Sequence, residues 1–83
     1  MSPTKTIHIQ YFALLREERG LSQESVSTQA ETAEDLFEEL KSKYHFRLST
    51  NLLRVSINAE FKNWQTILKD QDKIVFIPPV AGG

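Results

Sequence analysis

Two of the three glycines in this 83-residue chain are its last two residues, Gly82 and Gly83. With average glycine usage near 7%, two adjacent terminal glycines arise by chance in roughly one chain in two hundred. Pro78 and Pro79 stand just ahead of them, and proline cannot donate to a strand ladder. The sequence therefore predicts that Val80, Ala81, Gly82 and Gly83 leave the fold as an extended, flexible tail. Counted from Pro78, six residues reach at most about 20 Å. With no Cβ on its last two residues, such a tail can thread a narrow tunnel and present the bare Gly83 carboxylate to another protein's active site.

The other residue types that do chemistry give little. The chain has no cysteine, hence no disulfide, thiolate ligand or thiol nucleophile. His8 and His45 are far apart, without metal-ligand spacing, and read as surface or interface residues. The third glycine, Gly20, is too isolated to build a phosphate-binding loop or a nucleophile elbow. Glu31, Glu34, Asp35, Glu38 and Glu39 read as the solvated face of a helix rather than as paired catalytic carboxylates. No metal site is expected. Ten basic and eleven acidic residues leave a net charge of -1, which gives no electrostatic case for nucleic acid or an anionic membrane. No apolar run has the length to cross a bilayer. Met1 to Thr6 lead directly into a strand pattern without an apolar signal region, so a cytoplasmic location is expected.

The elements that must position the tail follow from periodicity. Thr6 to Phe12 alternates, with Ile7, Ile9 and Tyr11 on one face and His8, Gln10 and Phe12 on the other, as in a half-buried strand. Ala13 to Arg19 suits a short helix closed by Gly20. Gln23 to Thr28 reads as a second strand returning along the first. The clearest helix runs from Ala33 to Tyr44. Thr32 is its N-cap, with Asp35 in the capping-box position. Ala33, Leu36, Phe37, Leu40 and Tyr44 form one stripe, and its end charges suit the helix dipole.

Beyond a polar loop near Ser49-Thr50-Asn51, Leu53, Val55 and Ile57 alternate as a strand. Asn58-Ala59-Glu60 forms a turn before a short strand at Phe61, and Asp70-Gln71-Asp72 forms another turn. Ile74 to Ile77 is continuously apolar, which predicts a strand covered on both faces. One amphipathic helix folded across a mixed sheet satisfies this order in an α+β fold, although a sandwich with another strand order also fits the pattern. Residues 1–77 are expected to form the domain and 78–83 the tail.

Strand parity also suggests a partner surface. If Ile7, Ile9, Tyr11, Ile74 and Phe76 face the helix, then Phe12, Val75 and Ile77 face away. Phe61 can join them in an apolar patch of the kind that marks an interface. Trp64 is assigned to packing.

The ending Phe76-Ile77-Pro78-Pro79-Val80-Ala81-Gly82-Gly83 resembles that of the molybdopterin synthase small subunit, the MoaD family. Tyr11-Phe12-Ala13-Leu14-Leu15-Arg16-Glu17, Val55-Ser56-Ile57-Asn58 and Leu68-Lys69-Asp70-Gln71-Asp72 follow its layout. Gln71 departs from the glycine usual in its Asp-Gly-Asp turn. The resemblance implies a ubiquitin-like β-grasp fold with four to five strands and a sulfur-carrier role. It implies no permanently bound cofactor and no catalytic side chain of the chain's own. It further implies that an E1-like (MoeB-like) enzyme consumes ATP to adenylate Gly83 and that a persulfide donor then converts the acyl-AMP to a thiocarboxylate. By the same resemblance the sulfur is expected to pass to cyclic pyranopterin monophosphate inside a MoaE-like large subunit, in a heterotetramer of two small and two large subunits. Phe12, Phe61 and Ile77, from strand parity, and Pro78, Pro79, Val80 and Ala81 of the tail are the expected contacts with the large subunit and the activating enzyme. A carrier for thiamin or tRNA thiolation, a ubiquitin-like protein modifier and a plain interaction domain are the competing readings.

Overall fold

The computed structural model describes residues 3–79. Its elements are β1 (Lys5–Tyr11), α1 (Ala13–Arg19), β2 (Gln23–Thr28), α2 (Ala33–Tyr44), a 3-10 turn (Thr50–Leu52), β3 (Arg54–Ile57), β4 (Glu60–Lys62) and β5 (Lys73–Ile77). The strands form one sheet in the order β2-β1-β5-β3-β4. β1 and β5 run parallel at its centre, and the other pairs are antiparallel. With α2 packed across one face, this is the ubiquitin-like β-grasp fold.

Alternation decides which face is buried. Ile7, Ile9 and Tyr11 of β1, Val55 and Ile57 of β3, and Ile74 and Phe76 of β5 are buried beneath Ala33, Leu36, Phe37 and Leu40 of α2. The centre of this core is aromatic. Phe37 meets Phe76 edge-on at 5.1 Å between ring centroids, while Trp64 stacks on Phe76 at 6.0 Å. Such pairs add to the stability gained from area alone. Trp64 is therefore a packing residue.

α2 starts where its backbone donors find partners. The Thr32 hydroxyl accepts from the Asp35 N–H, and the Asp35 carboxylate accepts from the Thr32 N–H. The Ala33 and Glu34 N–H groups donate to the carbonyls of Thr66 and Trp64, satisfying donors that a helix leaves unpaired. α1 ends at Gly20, whose φ of 80° is left-handed.

Three expectations are corrected. β5 is covered on one face only: Ile74 and Phe76 are buried, whereas Val75 and Ile77 on the opposite face remain half-exposed. The segment read as a polar loop contains the 3-10 turn, and Leu53 caps that turn instead of opening β3. Glu60 belongs to β4, so the hairpin turn is Asn58-Ala59.

Both of those turn residues have positive φ, 53° and 71°, as a type I′ hairpin requires. Asn58 also links the turn to the β5 start. Its side chain accepts from the Lys73 N–H and donates to the buried Asp72 carboxylate. Ala59 has no such role and carries the Cβ penalty of the left-handed region. Gln71 is left-handed too, at φ 72°, but its amide oxygen lies 2.9 Å from His8 Nε2.

A second anchor joins α1 to the sheet. Arg19 makes a two-pronged contact with Glu24 at 2.8 Å, and the Tyr11 hydroxyl donates to the same carboxylate at 2.7 Å. Arg19 also lies 4.0 Å over the Tyr44 ring, which brings in the end of α2. The Arg19 hydrogen bonds hold the Glu24 carboxyl below its usual range. Burial, reinforced by Glu24, pushes the Tyr11 phenol upward.

Ala59→Gly is expected to stabilise the fold by about 0.5–1 kcal/mol, because strain relief exceeds the added unfolded-chain entropy. Gln71→Gly should gain less, since it loses the His8 contact. Urea midpoints at constant slope check both, and a lower midpoint for Ala59→Gly would contradict the assignment of strain. The depressed Glu24 pKa means that its stabilisation is complete above the ordinary carboxylate range and fades as pH falls through the lower folded value. Glu24→Gln is accordingly expected to flatten the acid limb of melting temperature against pH. An unchanged limb would assign acid unfolding to other carboxylates.

Candidate functional site

The face of the sheet opposite α2 has no covering layer among the described residues. Its side chains are set by register. Gln23 pairs with Gln10, Gln10 with Val75, Val75 with Ser56, and Ser56 with Phe61. This row crosses all five strands. One step along, Ile77 pairs with Arg54. Phe61 is 68% exposed and Phe12 is 41% exposed. Apolar side chains thus occupy the β4 and β5 part of this face, while β1 and β2 contribute His8, Gln10, Gln23 and Ser25.

Phe12 follows β1 and is the N-cap of α1 in extended conformation. Ile77 is the final residue of β5, and Pro78 and Pro79 follow it at the sheet rim. The structure therefore puts Phe12, Phe61 and Ile77 outside the core. Val80, Ala81, Gly82 and Gly83, the remaining residues singled out from sequence, lie outside the described residues. β5 is hydrogen-bonded on both sides, to β1 and to β3, so the point from which the last residues depart is firmly held.

Sequence reasoning missed two residues beside this point, Leu52 and Arg54. Leu52 is 52% exposed on the 3-10 turn, and Arg54 is exposed at the start of β3. Together with Ile77, Pro78 and Pro79 they help to line a cleft of about 250 Å³. Carrying the alternation of Val55 and Ile57 back by one residue would have found Arg54. No sequence period marks a three-residue turn.

His8 lies on the open face with Nδ1 2.7 Å from Ser25 Oγ and Nε2 2.9 Å from the Gln71 amide oxygen. Gln71 Oε1 only accepts, so His8 Nε2 is the donor. This supports the left-handed turn and provides no activated nucleophile. His45 is the exposed left-handed C-cap of α2. Among the described residues, no group of three or more metal-ligating side chains occurs, and no helix is long and apolar enough to cross a membrane. Tyr11, Arg19 and Glu24, whose titration is shifted, lie on the helix side and interact with one another, whereas the Asp70 carboxyl at the border of the open face is held below its usual range by the Thr6 N–H. Among the described residues, the exposed apolar side chains of the open face are placed to meet a partner.

No curated protein matches the chain. Solved structures do. The Haloferax volcanii HVO 2177 protein is similar over 96% of this chain and 88% of that one, at 25% identity and a TM-score of 0.80. The small archaeal modifier protein 1 of Methanosarcina acetivorans is similar over 99% and 100%, at 25% identity and a TM-score of 0.77. A chain from the complex of subunits 1 and 2 of the Helicobacter pylori molybdopterin-converting factor is similar over 94% and 99%, at 25% identity and a TM-score of 0.63. The ThiS family model matches residues 9–83, nearly the whole chain and its terminal glycines included. The chain belongs to the ThiS family, among the ubiquitin-fold sulfur carriers.

Proposed function

We propose that this protein is the sulfur-carrying small subunit of a molybdopterin synthase, acting through the carboxylate of Gly83. The observation that carries the reading is the extent of the family match, which runs through Gly82 and Gly83, six residues beyond the last strand. The Pro-Pro-Val-Ala-Gly-Gly ending and the similarity to a chain of the molybdopterin-converting factor complex favour molybdopterin as the product.

A free carboxylate is a poor electrophile. In the proposed sequence, its oxygen attacks the α-phosphorus of ATP on an E1-like, MoeB-like enzyme, and pyrophosphate leaves. The terminal sulfur of a persulfide then attacks the acyl carbon and expels AMP. A thiol cleaves the resulting S–S bond and leaves the thiocarboxylate on Gly83. A MoaE-like large subunit, in a tetramer of two small and two large chains, receives the tail and directs this sulfur to cyclic pyranopterin monophosphate. Catalytic side chains come from the partners, while this chain supplies the carried group and the docking face.

Phe12, Phe61 and Ile77 form the apolar part of that face, with Pro78, Pro79, Val80 and Ala81 leading from it to the reacting carboxylate. The likeness to a small archaeal modifier protein supports a second reading, in which Gly83 is joined to lysines of target proteins. Both routes begin with the same acyl-adenylate and diverge at the nucleophile. A ladder of larger adducts in lysate indicates the modifier, and a thiocarboxylated free chain indicates the carrier.

Incubation with ATP, the activating enzyme and a sulfur donor is expected to change the intact mass by one oxygen exchanged for one sulfur, mapped to Gly83. Deleting Gly83, or extending the chain by one residue, should abolish the change and leave cooperative unfolding intact. No mass change in the wild type, with an enzyme competent on another carrier, would reject the carrier reading. Phe61→Asp is expected to cost at least about 2 kcal/mol of binding to the large subunit, roughly thirtyfold in Kd, as for an anchor in an interface centre. Its melting temperature should stay near wild type. Equal affinity would remove Phe61 from the interface.

A further inference from the structure

The net charge of -1 conceals a segregation set by strand parity. Five of the eleven carboxylates, Glu31, Glu34, Asp35, Glu38 and Glu39, lie on α2 or just before it. Glu24 pairs in register with Ile9, and Glu60 with Ile57, so both strand acids project toward the helix side. The strand cations divide: Lys5 and Lys62, in register with Thr28 and Val55, lie on the helix side with the acids, and Arg54 and Lys73 lie on the open face. Arg54 pairs with Ile77 and Lys73 with His8, and no strand carboxylate shares this face. Asp70 borders it, but its carboxylate is occupied by the Thr6 N–H and the Gln71 amide.

Arg54 is exposed, and none of the ion pairs among the described residues includes it. Its place is specific as well as its charge. It stands on the rim of the cleft bounded by Leu52, Ile77, Pro78 and Pro79, where β5 ends and the final residues begin. A protein that receives those residues in its own active site must rest against this cleft. The cleft offers it an apolar recess with a cation beside it.

We propose that the cleft at the root of the tail, with Arg54 on its rim, accepts an apolar side chain from a tail-receiving protein whose adjoining surface is acidic. Leu52 and Arg54 are then specificity-determining contacts distinct from the Phe61 end of the face. Charge complementarity selects the occupant, because the open face offers cations and no strand carboxylate with which to repel an acidic surface. Attraction of this kind raises the association rate and rejects basic surfaces. The inference rests on the carrier reading, since that reading supplies a partner that must sit at the tail root.

The test uses the full chain and the adenylating enzyme, read by direct binding and by ATP–pyrophosphate exchange. Arg54→Glu and Leu52→Asp are expected to raise Kd and KM by on the order of thirtyfold, with kcat nearly unchanged. The salt dependence of wild-type binding should flatten in Arg54→Glu. Lys69→Glu makes the same charge change away from the cleft and should shift Kd by no more than about twofold. Replacing an acidic residue of the enzyme by lysine should restore Arg54→Glu, an effect that a merely unfolded variant cannot show. Equal effects of Arg54→Glu and Lys69→Glu would overturn the proposal, as would a homodimer that Arg54→Glu dissolves. Exchange by the wild type with Arg54→Glu unaffected rejects this surface and retains the carrier. Binding that depends on Arg54 without exchange retains the surface and rejects the carrier, whereas no binding at all rejects both.

Discussion

The packing of α2 against one face of the sheet is the constraint on which the rest depends. Phe37 touches the rings of Phe46, Trp64 and Phe76, and Ile7, Ile9, Val55 and Ile74 complete the layer around them. Full burial of such a side chain contributes about 1.5–3 kcal/mol. A register slip of one residue would exchange Ile7, Ile9 and Tyr11 for Thr6, His8, Gln10 and Phe12 in the core. No competing interaction in the sheet offsets that loss. Because Ile74 and Phe76 are fixed inward, Val75 and Ile77 must point outward. The exposed apolar patch is therefore not loose packing; it is the other half of the same parity.

What could be read from sequence depended on how local its cause was. The capping box of α2, the left-handed Gly20 and the strand β1 each depend on residues a few positions apart, and the structure has all three. The apolar run of β5 looks the same in sequence whether its second face meets another layer or stays open, and in the structure that face is half-exposed. Thr50–Leu52 was missed because three residues are too few to show a period. Arg54 and Lys73 were missed for a different reason. Net charge sums over both faces of the sheet and over α2, so a face bearing cations alone disappears into a balanced total. Of the candidate site, Phe12, Phe61 and Ile77 were legible through parity. The cleft beside Leu52 was not, because it needs the approach of a turn and a strand end that lie far apart in sequence.

Backbone strain shows a similar division. Asn58 at positive φ was readable as a turn residue, since asparagine tolerates the left-handed region. Gln71 was readable only as a departure from glycine. Its support is tertiary: the amide oxygen meets His8, and the backbone N–H donates to the Thr6 carbonyl at 2.7 Å. The neighbouring Asp70 carboxylate accepts from the Thr6 N–H. The turn is thus fastened to the start of β1 at several points, which keeps β5 in parallel register beside it. His8, which the sequence reads as a surface or interface residue, is part of this fastening.

A carrier acting through its terminus has two requirements that pull apart. The reacting group must enter a partner's active site, and the point from which it departs must be fixed so that docking determines where the group arrives. The sheet order reconciles them. β5 is central, paired on one side with β1 and on the other with β3, and its last residue Ile77 is itself paired with Arg54. An edge strand in the same role would fray, and the position of the tail root would vary with it. Local precision of this kind is what a positioned reacting group demands of its scaffold. Tyr11, Glu24 and Arg19 hold α1, β1 and β2 together, and on the proposed carrier reading such side chains set where β5 ends while the chemistry belongs to the receiving protein.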